Sequence, residues 1–334
     1  MKKTWLLALP VALSIGIASA HAQTKEVTYA HQDMIIPFRV LQAAGEIEKA
    51  TGYKINWKMF GGGGDVIKAM ASGEVALGEA GSSPATAALA QGLDLQAIYI
   101  LEDIGNAEQL VVRNGSGVNS LKDLKGKKLA VPFVSTAHYQ LLAALQDEGI
   151  NPKEVQILNM RPPEIAAAWE RGDIDATFIW NPVLDKVKAN GKVILSSGDV
   201  AKKGKPTFDA LMVNRAWAEK NKDFLTKLIA LMAKQDAEYV ANQAKWTADS
   251  EMAKVTGKIV GAKPEDVPGA MAAYAFPSAK EQASKTWLGG GKDSGVAKAF
   301  ADTAVFLKEQ GRITDVPADF SKYVNDEYVA AAAK

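Results

Sequence analysis

Three turns in the sequence place small residues where a strand gives way to a helix, a pattern suited to anion binding. They are glycines 61–64 before Asp65, Gly81-Ser82-Ser83-Pro84, and Val134-Ser135-Thr136. The first N–H groups of a helix have no partner inside it, and the helix dipole is positive there. Each turn alone is typical of ordinary helix caps and tight turns. Several around one cleft would form a seat for a sulfonate or phosphate.

Two further residues suit a positive charge. Trp180 follows a predicted strand in Ile179-Trp180-Asn181-Pro182, and Asp209 precedes the apolar run Ala210-Leu211-Met212-Val213. Alone, a tryptophan at a strand end is typical of a core, and an aspartate there is typical of a cap or a solvated loop. Because an ammonium pairs with a carboxylate and with an aromatic face, both are also candidate contacts for an amine.

The residue types that catalysis or metal binding needs are scarce. The chain has no cysteine, and its histidines are His21, His31 and His138. Their spacing does not fit a metal site, and no Gly-x-Ser-x-Gly turn is present. Glycines 61–64 lack the lysine of a Walker loop and form no Gly-x-Gly-x-x-Gly motif. We therefore expect no catalytic residue, no metal and no cofactor.

The elements that must position these residues alternate between strands and helices. Strands are predicted over residues 26–29, 54–60 and 95–101, with helices over 38–51 and 65–72. The pattern repeats from residue 109 to about residue 182, and the sequence after Trp217 is largely helical. Strands joined to helices by short glycine turns predict an α/β sheet in each unit.

The first 22 residues have the three parts of a secretory signal peptide: basic Met1-Lys2-Lys3, an apolar run from Trp5, and the small residues of Ala18-Ser19-Ala20-His21-Ala22. The apolar run is shorter than the ~20 residues of a spanning helix. We expect cleavage after Ala22, with Ala20 as the alternative, and a free, soluble periplasmic protein with a core that needs no disulfides. The formal charge is +1, with no long basic run, which argues against a nucleic-acid partner.

Several strings in the sequence resemble the taurine-binding proteins of bacterial ABC importers. The most specific is Pro132-Phe133-Val134-Ser135-Thr136-Ala137-His138-Tyr139, and Trp180-Asn181-Pro182 and Gly81-Ser82-Ser83-Pro84 support it. Arg171-Gly172-Asp173-Ile174-Asp175-Ala176 is shared more widely among related binding proteins. The similarity spans nearly the whole chain after the signal segment and is densest between residues 73 and 209.

The resemblance implies a type II periplasmic binding protein of the α/β class. Such a protein has two lobes, each a mixed sheet flanked by helices, and binds its ligand in the cleft between them. Lobe 1 would comprise residues 23–107 and 209–334, and lobe 2 residues 108–208. The protein would act as a monomer, deliver taurine to the permease subunits of an ABC importer, and need no cofactor.

The resemblance also implies which residues hold the ligand. The sulfonate would lie at the helix starts Ser82-Ser83 and Ser135-Thr136, while the ammonium would face Asp209, assisted by Glu108. The ethylene carbons would pack on Trp180. The candidate ligand-binding residues are Gln32, Ser82, Ser83, Glu108, Ser135, Thr136, His138, Trp180 and Asp209.

Three features differ from the family pattern and keep alternatives open. Residues 31–37 match it at Gln32 and Pro37 only, glycines 61–64 are unusually dense, and Glu79 would repel a sulfonate if it faced the cleft. Another aliphatic sulfonate or a small zwitterion is therefore an alternative ligand. From another class of function, the alternative is a periplasmic enzyme on the same scaffold.

Overall fold

The computed structural model describes residues 25–334, so the predicted signal peptide at residues 1–22 lies outside the described residues. The strands are β1 (Glu26–His31), β2 (Lys54–Met59), β3 (Leu77–Gly81), β4 (Leu95–Asp103), β5 (Gln109–Arg113), β6 (Lys128–Val131), β7 (Gln156–Asn159), β8 (Ala176–Ile179), β9 (Gly191–Ser196) and β10 (Phe208–Asn214). Several are buried along nearly their whole length, as expected for sheets covered by helices on both faces.

The strands form two five-stranded sheets, ordered β2-β1-β3-β10-β4 and β7-β6-β8-β5-β9. Both are mixed: β10 runs antiparallel to β3 and β4, and β5 runs antiparallel to β8 and β9, while the other pairs are parallel. The chain passes from the first sheet to the second between β4 and β5 and returns between β9 and β10. The predicted α/β fold, with two lobes that each hold a mixed sheet, is confirmed.

Helices cover both sheets. They are α1 (Arg39–Ala44), α2 (Glu46–Thr51), α3 (Gly63–Ala71), α4 (Ser82–Ala90), α5 (Thr136–Asp147), α6 (Pro162–Arg171), α7 (Val183–Lys188), α8 (Ser197–Ala201), α9 (Arg215–Lys220), α10 (Lys222–Ala241), α11 (Glu251–Val260), α12 (Val267–Met271), α13 (Ala279–Gln282), α14 (Gly295–Glu309) and α15 (Glu327–Ala332). After β10 the described chain is helical apart from its loops and short bridges, as the sequence predicts. None of the helices between residues 25 and 334 is both long and apolar enough to span a membrane.

The structure differs from the predicted helices near the amino terminus. The single helix expected over residues 38–51 is divided at Gly45, whose φ of 62° lies in the left-handed region and ends α1. Helix α3 begins at Gly63, within the glycine tract and earlier than expected. The tract therefore forms the first turn of a helix as well as the loop before it.

Each sheet has its own hydrophobic core, and the two are separate. Parallel strands β1 and β3 of the first sheet, and β6 and β8 of the second, lead into loops that meet where the lobes face each other. In open α/β sheets, ligands bind beyond the carboxyl ends of such strands. The fold therefore brings together the segments after β1, β3, β6 and β8.

Candidate functional site

A small cavity, here called the cleft cavity, lies where the two lobes meet. It is lined by Gln32, Met34, Gly63, Gly81, Pro84, Glu108, Ser135, Thr136, Trp180 and Asp209. Its volume is about 20 Å³, whereas a single water molecule needs ~10–15 Å³. At this point the lobes approach each other closely, and a ligand of several non-hydrogen atoms must separate them to occupy the cleft cavity.

Six of the nine predicted site residues line the cleft cavity, namely Gln32, Glu108, Ser135, Thr136, Trp180 and Asp209. They come from both lobes and from positions up to 177 residues apart (Gln32 to Asp209). Ser82, Ser83 and His138 do not line it. The structure therefore places most of the predicted residues together and leaves three outside the cavity wall.

Gly81, at the end of β3, shows how tightly the lobes meet. A Cβ atom at this position would lie 2.7 Å from Thr136 Cγ2 and 3.2 Å from Asp209 Oδ1. The backbone of Gly81 is extended, with φ −62° and ψ 155°, so its conformation alone does not require glycine. The requirement comes from Thr136 of the opposite lobe and from Asp209, the neighbour of Gly81 on the adjacent strand β10.

A hydrogen bond between the lobes joins Trp180 to a residue that the sequence pattern did not indicate. Trp180 Nε1 donates to Asp33 Oδ1 at 2.9 Å. Burial raises the pKa of Asp33 to about 6, although the bond from Trp180 opposes this shift. The irregular segment after β1 is thus tied to the loop after β8. This bond orients the indole ring that forms one wall of the cleft cavity.

A second contact between the lobes lies nearer the surface. Arg161 Nη2 is 3.2 Å from Asp65 Oδ2, but the Arg161 side chain is 65% exposed. Exposed ion pairs of this kind contribute ~0–1 kcal/mol. Glycines 61–64, Phe133 and Arg161 also line a neighbouring cavity of about 310 Å³ between the lobes. The glycine tract therefore faces the opposite lobe with little side-chain bulk.

Glu108 lies at the crossing between the two sheets and is held by hydroxyl groups. Thr136 Oγ1 donates to Glu108 Oε1 at 2.6 Å, and Ser197 Oγ lies 3.4 Å from Glu108 Oε2. Burial raises the pKa of Glu108 to about 8, against the effect of these hydrogen bonds, and Asp209 adds to the rise. No basic side chain is among the partners that shift its pKa.

Asp209 is the second residue of β10 and lines the same cavity. Burial raises the pKa of Asp209 to about 6, and a hydrogen bond with Glu102 lowers it. Within residues 25–334, Arg39 is the one lysine or arginine that is buried. Because Arg39 is engaged elsewhere, the carboxyl groups of Asp209 and Glu108 face the cleft without a cationic partner from the protein.

Arg39 binds Glu79 with both terminal nitrogens. Arg39 Nη1 donates to Glu79 Oε1 at 2.8 Å, Nη2 donates to Oε2 at 2.7 Å, and both side chains are fully buried. Gln32 completes the group, since its backbone N–H donates to Glu79 Oε2 and its amide donates to the Glu79 carbonyl. The charge of Glu79 is thereby balanced, so the expected repulsion of an anion by this residue is removed.

Two helices begin beside the cleft cavity. At the start of α4, the hydroxyl groups of Ser82 and Ser83 are buried and have no hydrogen-bond partner among the described residues. At the start of α5, Ser135 Oγ accepts from the His138 backbone N–H at 3.1 Å and donates to the Pro132 carbonyl. Ser82 and Ser83 thus retain free donors beside the cavity that an anion could use once the lobes separate.

His138 supports the loop before α5 instead of lining the cavity. Its Nδ1 accepts from the Val134 backbone N–H at 3.2 Å, and its ring stacks on Phe133 with centroids 4.5 Å apart. Burial lowers the pKa of His138 to about 3, and nearby Arg312 adds to this effect, so the ring is neutral. Val134 has a φ of 66°, rare for a β-branched residue, and the His138 bond helps to hold this conformation.

Sequence reasoning missed Asp33, Arg39 and Glu102. Each is a charged residue whose role depends on a partner far away in the chain: Trp180 for Asp33, Glu79 for Arg39, and Asp209 for Glu102. A signal was available for Glu102, a carboxylate at the end of the strongly apolar run 97–101. Such a residue is nearly always paired when it is buried.

Comparisons with known proteins agree with this geometry. The family described as NMT1/THI5 like matches residues 49–245. The taurine-binding periplasmic protein of Escherichia coli strain K12 is 35% identical over 316 residues, which cover 95% of this chain and 96% of that protein. A putative aliphatic sulfonates-binding protein of Bacillus subtilis strain 168 is 30% identical over 66% of this chain and 67% of its own length.

The fold is also found among solved structures. The alkanesulfonate-binding protein of Xanthomonas axonopodis pv. citri, bound to MOPS, superposes with a TM-score of 0.71 and is 22% identical. The match covers 93% of this chain and 98% of that one. The periplasmic aliphatic sulphonate-binding protein of Escherichia coli has the same TM-score, with 90% and 92% covered. At this level of identity the likeness concerns the fold alone, and it is the fold predicted from the sequence.

Proposed function

The chain belongs to the NMT1/THI5-like family, with the periplasmic binding proteins for sulfonates, and we propose that taurine is the ligand it carries to an ABC importer. One observation carries this choice of ligand. Asp209 and Glu108 line the cleft cavity, and no buried cationic side chain within residues 25–334 is free to pair with them. A ligand that brings its own ammonium supplies the missing charge.

The other end of the ligand would be bound without a basic side chain. The N-termini of α4 and α5 flank the cleft cavity, and Ser82 and Ser83 hold buried hydroxyl groups without partners. Helix N-termini and hydroxyl donors suit the three oxygens of a sulfonate. The pairing of Glu79 with Arg39 balances the negative charge that Glu79 would otherwise place near this end. Trp180 would pack against the two carbons between the charged groups.

A plain aliphatic sulfonate is the second candidate, because relatives with that name match the chain. The carboxyl groups in the cleft favour taurine over it, since a plain sulfonate leaves them unpaired on closure. We further propose cleavage after Ala22, a monomeric periplasmic protein without catalytic activity, and transfer of the ligand to permease subunits. The lobe boundaries near residues 108 and 209 would form the hinges for closure.

Calorimetry on residues 23–334 tests the choice of ligand. Taurine should bind with one-to-one stoichiometry, and ethanesulfonate, which lacks the amine, should bind at least about a hundredfold more weakly, because an unpaired buried charge costs several kcal/mol. A ligand that binds the native state raises the thermal midpoint, so at equal concentration taurine should raise it more than ethanesulfonate does. Equal affinity for both would reject taurine in favour of a plain sulfonate.

Substitution of Gly81 by alanine should weaken taurine binding by about 1–3 kcal/mol, because the new methyl group holds Thr136 of the opposite lobe away from the closed position. The backbone of Gly81 suits alanine, so the ligand-free protein should keep its thermal midpoint. Gly269→Ala is the matched control, since no atom lies within 4 Å of its added Cβ. Unchanged taurine affinity in Gly81→Ala would show that the lobes need not close this far.

Replacement of Trp180 by phenylalanine keeps an aromatic wall but removes the donor to Asp33. The buried Asp33 carboxyl then loses a partner in the closed form, so taurine affinity should fall by about 1–3 kcal/mol in calorimetry. Trp169→Phe is the control, because it also removes an indole bond, to Asn190, but within the core of the second sheet. A loss of affinity as large in the control would assign the effect to general destabilisation.

A further inference from the structure

Glu102 lies beside Asp209, and its carboxyl group has an unusual environment. The two residues are register partners on β4 and β10. Glu102 is fully buried, and neither of its side-chain oxygens receives a hydrogen bond from an N–H or hydroxyl group of the described residues. Its register partner Asp209 is the acid that the paired strands place beside it, because directly opposed residues on neighbouring strands present their side chains on the same face of the sheet. Ionised carboxylates only accept hydrogen bonds, so a hydrogen bond between these two carboxyl groups requires a proton on one of them.

The charged groups around the pair favour keeping that proton. Besides Asp209, strand β3 contributes Glu79 and α1 contributes Arg39. The segment after α12 adds the neutral hydroxyl of Tyr274, whose pKa is raised well above its ordinary value. Arg39 is bound to Glu79 through both nitrogens, so its charge is already balanced. Burial raises the pKa of Glu102 well above its ordinary value, and the nearby Asp209 raises it further.

Two other acids complete the surroundings of the pair. Glu108, from the start of the second lobe, and Asp33, from the segment after β1, raise the pKa of Tyr274, as Glu102 and Asp209 do. Both are negative when ionised, so neither supplies a counterion. The cluster therefore contains several acids and no unpaired base within the described chain, so the ionisation of one acid opposes that of the others.

We infer that Glu102 is a neutral carboxylic acid in the working protein and that its O–H group donates a hydrogen bond that orients Asp209 toward the ligand's ammonium. This inference rests on the proposed function, because the ammonium is what Asp209 would bind. With one proton on the pair, Asp209 carries a single negative charge that matches the single positive charge of the amine. Glu102 does not line the cleft cavity, so it is a positioning residue and not a ligand contact.

Two substitutions separate the role of the hydrogen bond from that of a charge. E102Q keeps a donor for Asp209 but cannot ionise, whereas E102L fills similar space without a donor. Taurine affinity at neutral pH should stay within about threefold of wild type in E102Q and fall at least about tenfold in E102L, because Asp209 loses its donor there. Affinity for ethanesulfonate, which lacks the amine, should change by less than about threefold in both variants.

A spectroscopic readout tests the protonated acid without any ligand. Infrared spectra of the ligand-free wild type at neutral pH should contain the C=O band of a protonated carboxylic acid that is absent from E102Q. D236N is the control, because Asp236 is another buried acid, bonded by the Tyr99 hydroxyl at 2.6 Å, and burial raises its pKa to about 7. D236N should retain the band that depends on Glu102.

The possible outcomes are distinct. Absence of an acid band dependent on Glu102 would overturn the inference, as would wild-type taurine affinity in E102L. Equal weakening in E102Q and E102L would also overturn it, by showing that Glu102 acts as an ionised group. If E102L does not fold, the infrared band that depends on Glu102 and the taurine affinity of E102Q still test whether Glu102 is protonated. Failure of taurine to bind the wild-type protein would instead reject the proposed function, and the band would still report the state of Glu102.

Discussion

Substitution of Asp209 by asparagine should weaken taurine binding by about 2–5 kcal/mol, which corresponds to roughly thirtyfold to several thousandfold in Kd. The reason is that Asp209 is a buried carboxylate at the cleft, and Arg39, the buried basic side chain of residues 25–334, is already paired with Glu79. Without it, the ammonium of the ligand would be buried without its partner when the lobes close. Calorimetry with taurine on the wild type and the variant measures the loss directly.

Asparagine is the informative replacement because it preserves the packing of this residue. Its side-chain carbonyl can accept the hydrogen bond from Glu102, so the variant should fold with a near-normal thermal midpoint. Binding of ethanesulfonate should change little, since that ligand has no ammonium. Asp173→Asn, at a residue exposed on the second lobe, is the control and should leave both affinities unchanged. A similar loss for taurine and ethanesulfonate would remove Asp209 from the amine end of the ligand.

The same residue should make taurine binding depend on pH. Burial raises the pKa of Asp209 to about 6, so a proton occupies this carboxyl group increasingly as the pH falls below 6. Because the ammonium pairs with the ionised form, taurine affinity should be full above that pH and fall by up to about tenfold per pH unit below it. Asp209→Asn should show a much weaker dependence between pH 5 and 7, the remainder coming from Asp33, whose pKa burial also raises to about 6. Parallel profiles for the two proteins would assign the titration to another group.

The sequence was sufficient to predict the α/β fold and the strand and helix ends that meet at the cleft. Alternating apolar runs and glycine turns indicate where strands end, and parallel sheets bring their carboxyl ends to one edge. Trp180 was a candidate because it directly follows the end of β8, and Ser135 because it caps α5 shortly after β6. Asp209 was a candidate because an isolated carboxylate stands before an apolar run. Local patterns made these positions candidates, and the family resemblance implied their roles at the ligand.

The remaining parts of the site depend on contacts that local patterns do not encode. Glu79 appeared to oppose an anion until the structure placed Arg39, 40 positions earlier in the chain, against it. The role of Asp33 depends on Trp180, 147 positions away, in the other lobe. His138 belongs to the most specific string in the sequence, yet its ring faces Phe133 and Val134. In each case the position of the side chain follows from packing between lobes or elements.

These contacts also explain how closure can depend on the ligand. Trp180 with Asp33, and Gly81 beneath Thr136, are made only when the lobes meet. Closure without a ligand, however, buries the Asp209 carboxylate with no counterion, and this cost opposes those contacts. A ligand whose ammonium pairs with Asp209 removes the cost and shifts the equilibrium toward the closed form. Both the ammonium and the fit at Gly81 are therefore expected to contribute to affinity.

Replacement of Arg39 by methionine should lower the free energy of unfolding by about 3–5 kcal/mol, because it leaves Glu79 as an uncompensated charge in the core. The loss also includes the bonds from Arg39 to the carbonyls of Met34 and Gln32, at 3.2 Å each. A decrease in the thermal midpoint on the order of 10 °C should accompany this loss. Taurine affinity should fall as well, because the freed charge of Glu79 lies next to the start of α4, which would hold the sulfonate.

The double variant Arg39→Met, Glu79→Gln separates charge from packing. Removing the second charge should restore part of the lost stability, since the remaining cost is that of unpaired carbonyls and altered packing. Arg171→Met is the control: its ion pair with Asp173 has side chains 63% and 51% exposed, so the change should cost less than about 1 kcal/mol. If Arg39→Met were as mild as Arg171→Met, the buried pair would be dispensable. A group other than Arg39 would then have to balance the charge of Glu79 near the start of α4, where the sulfonate would bind.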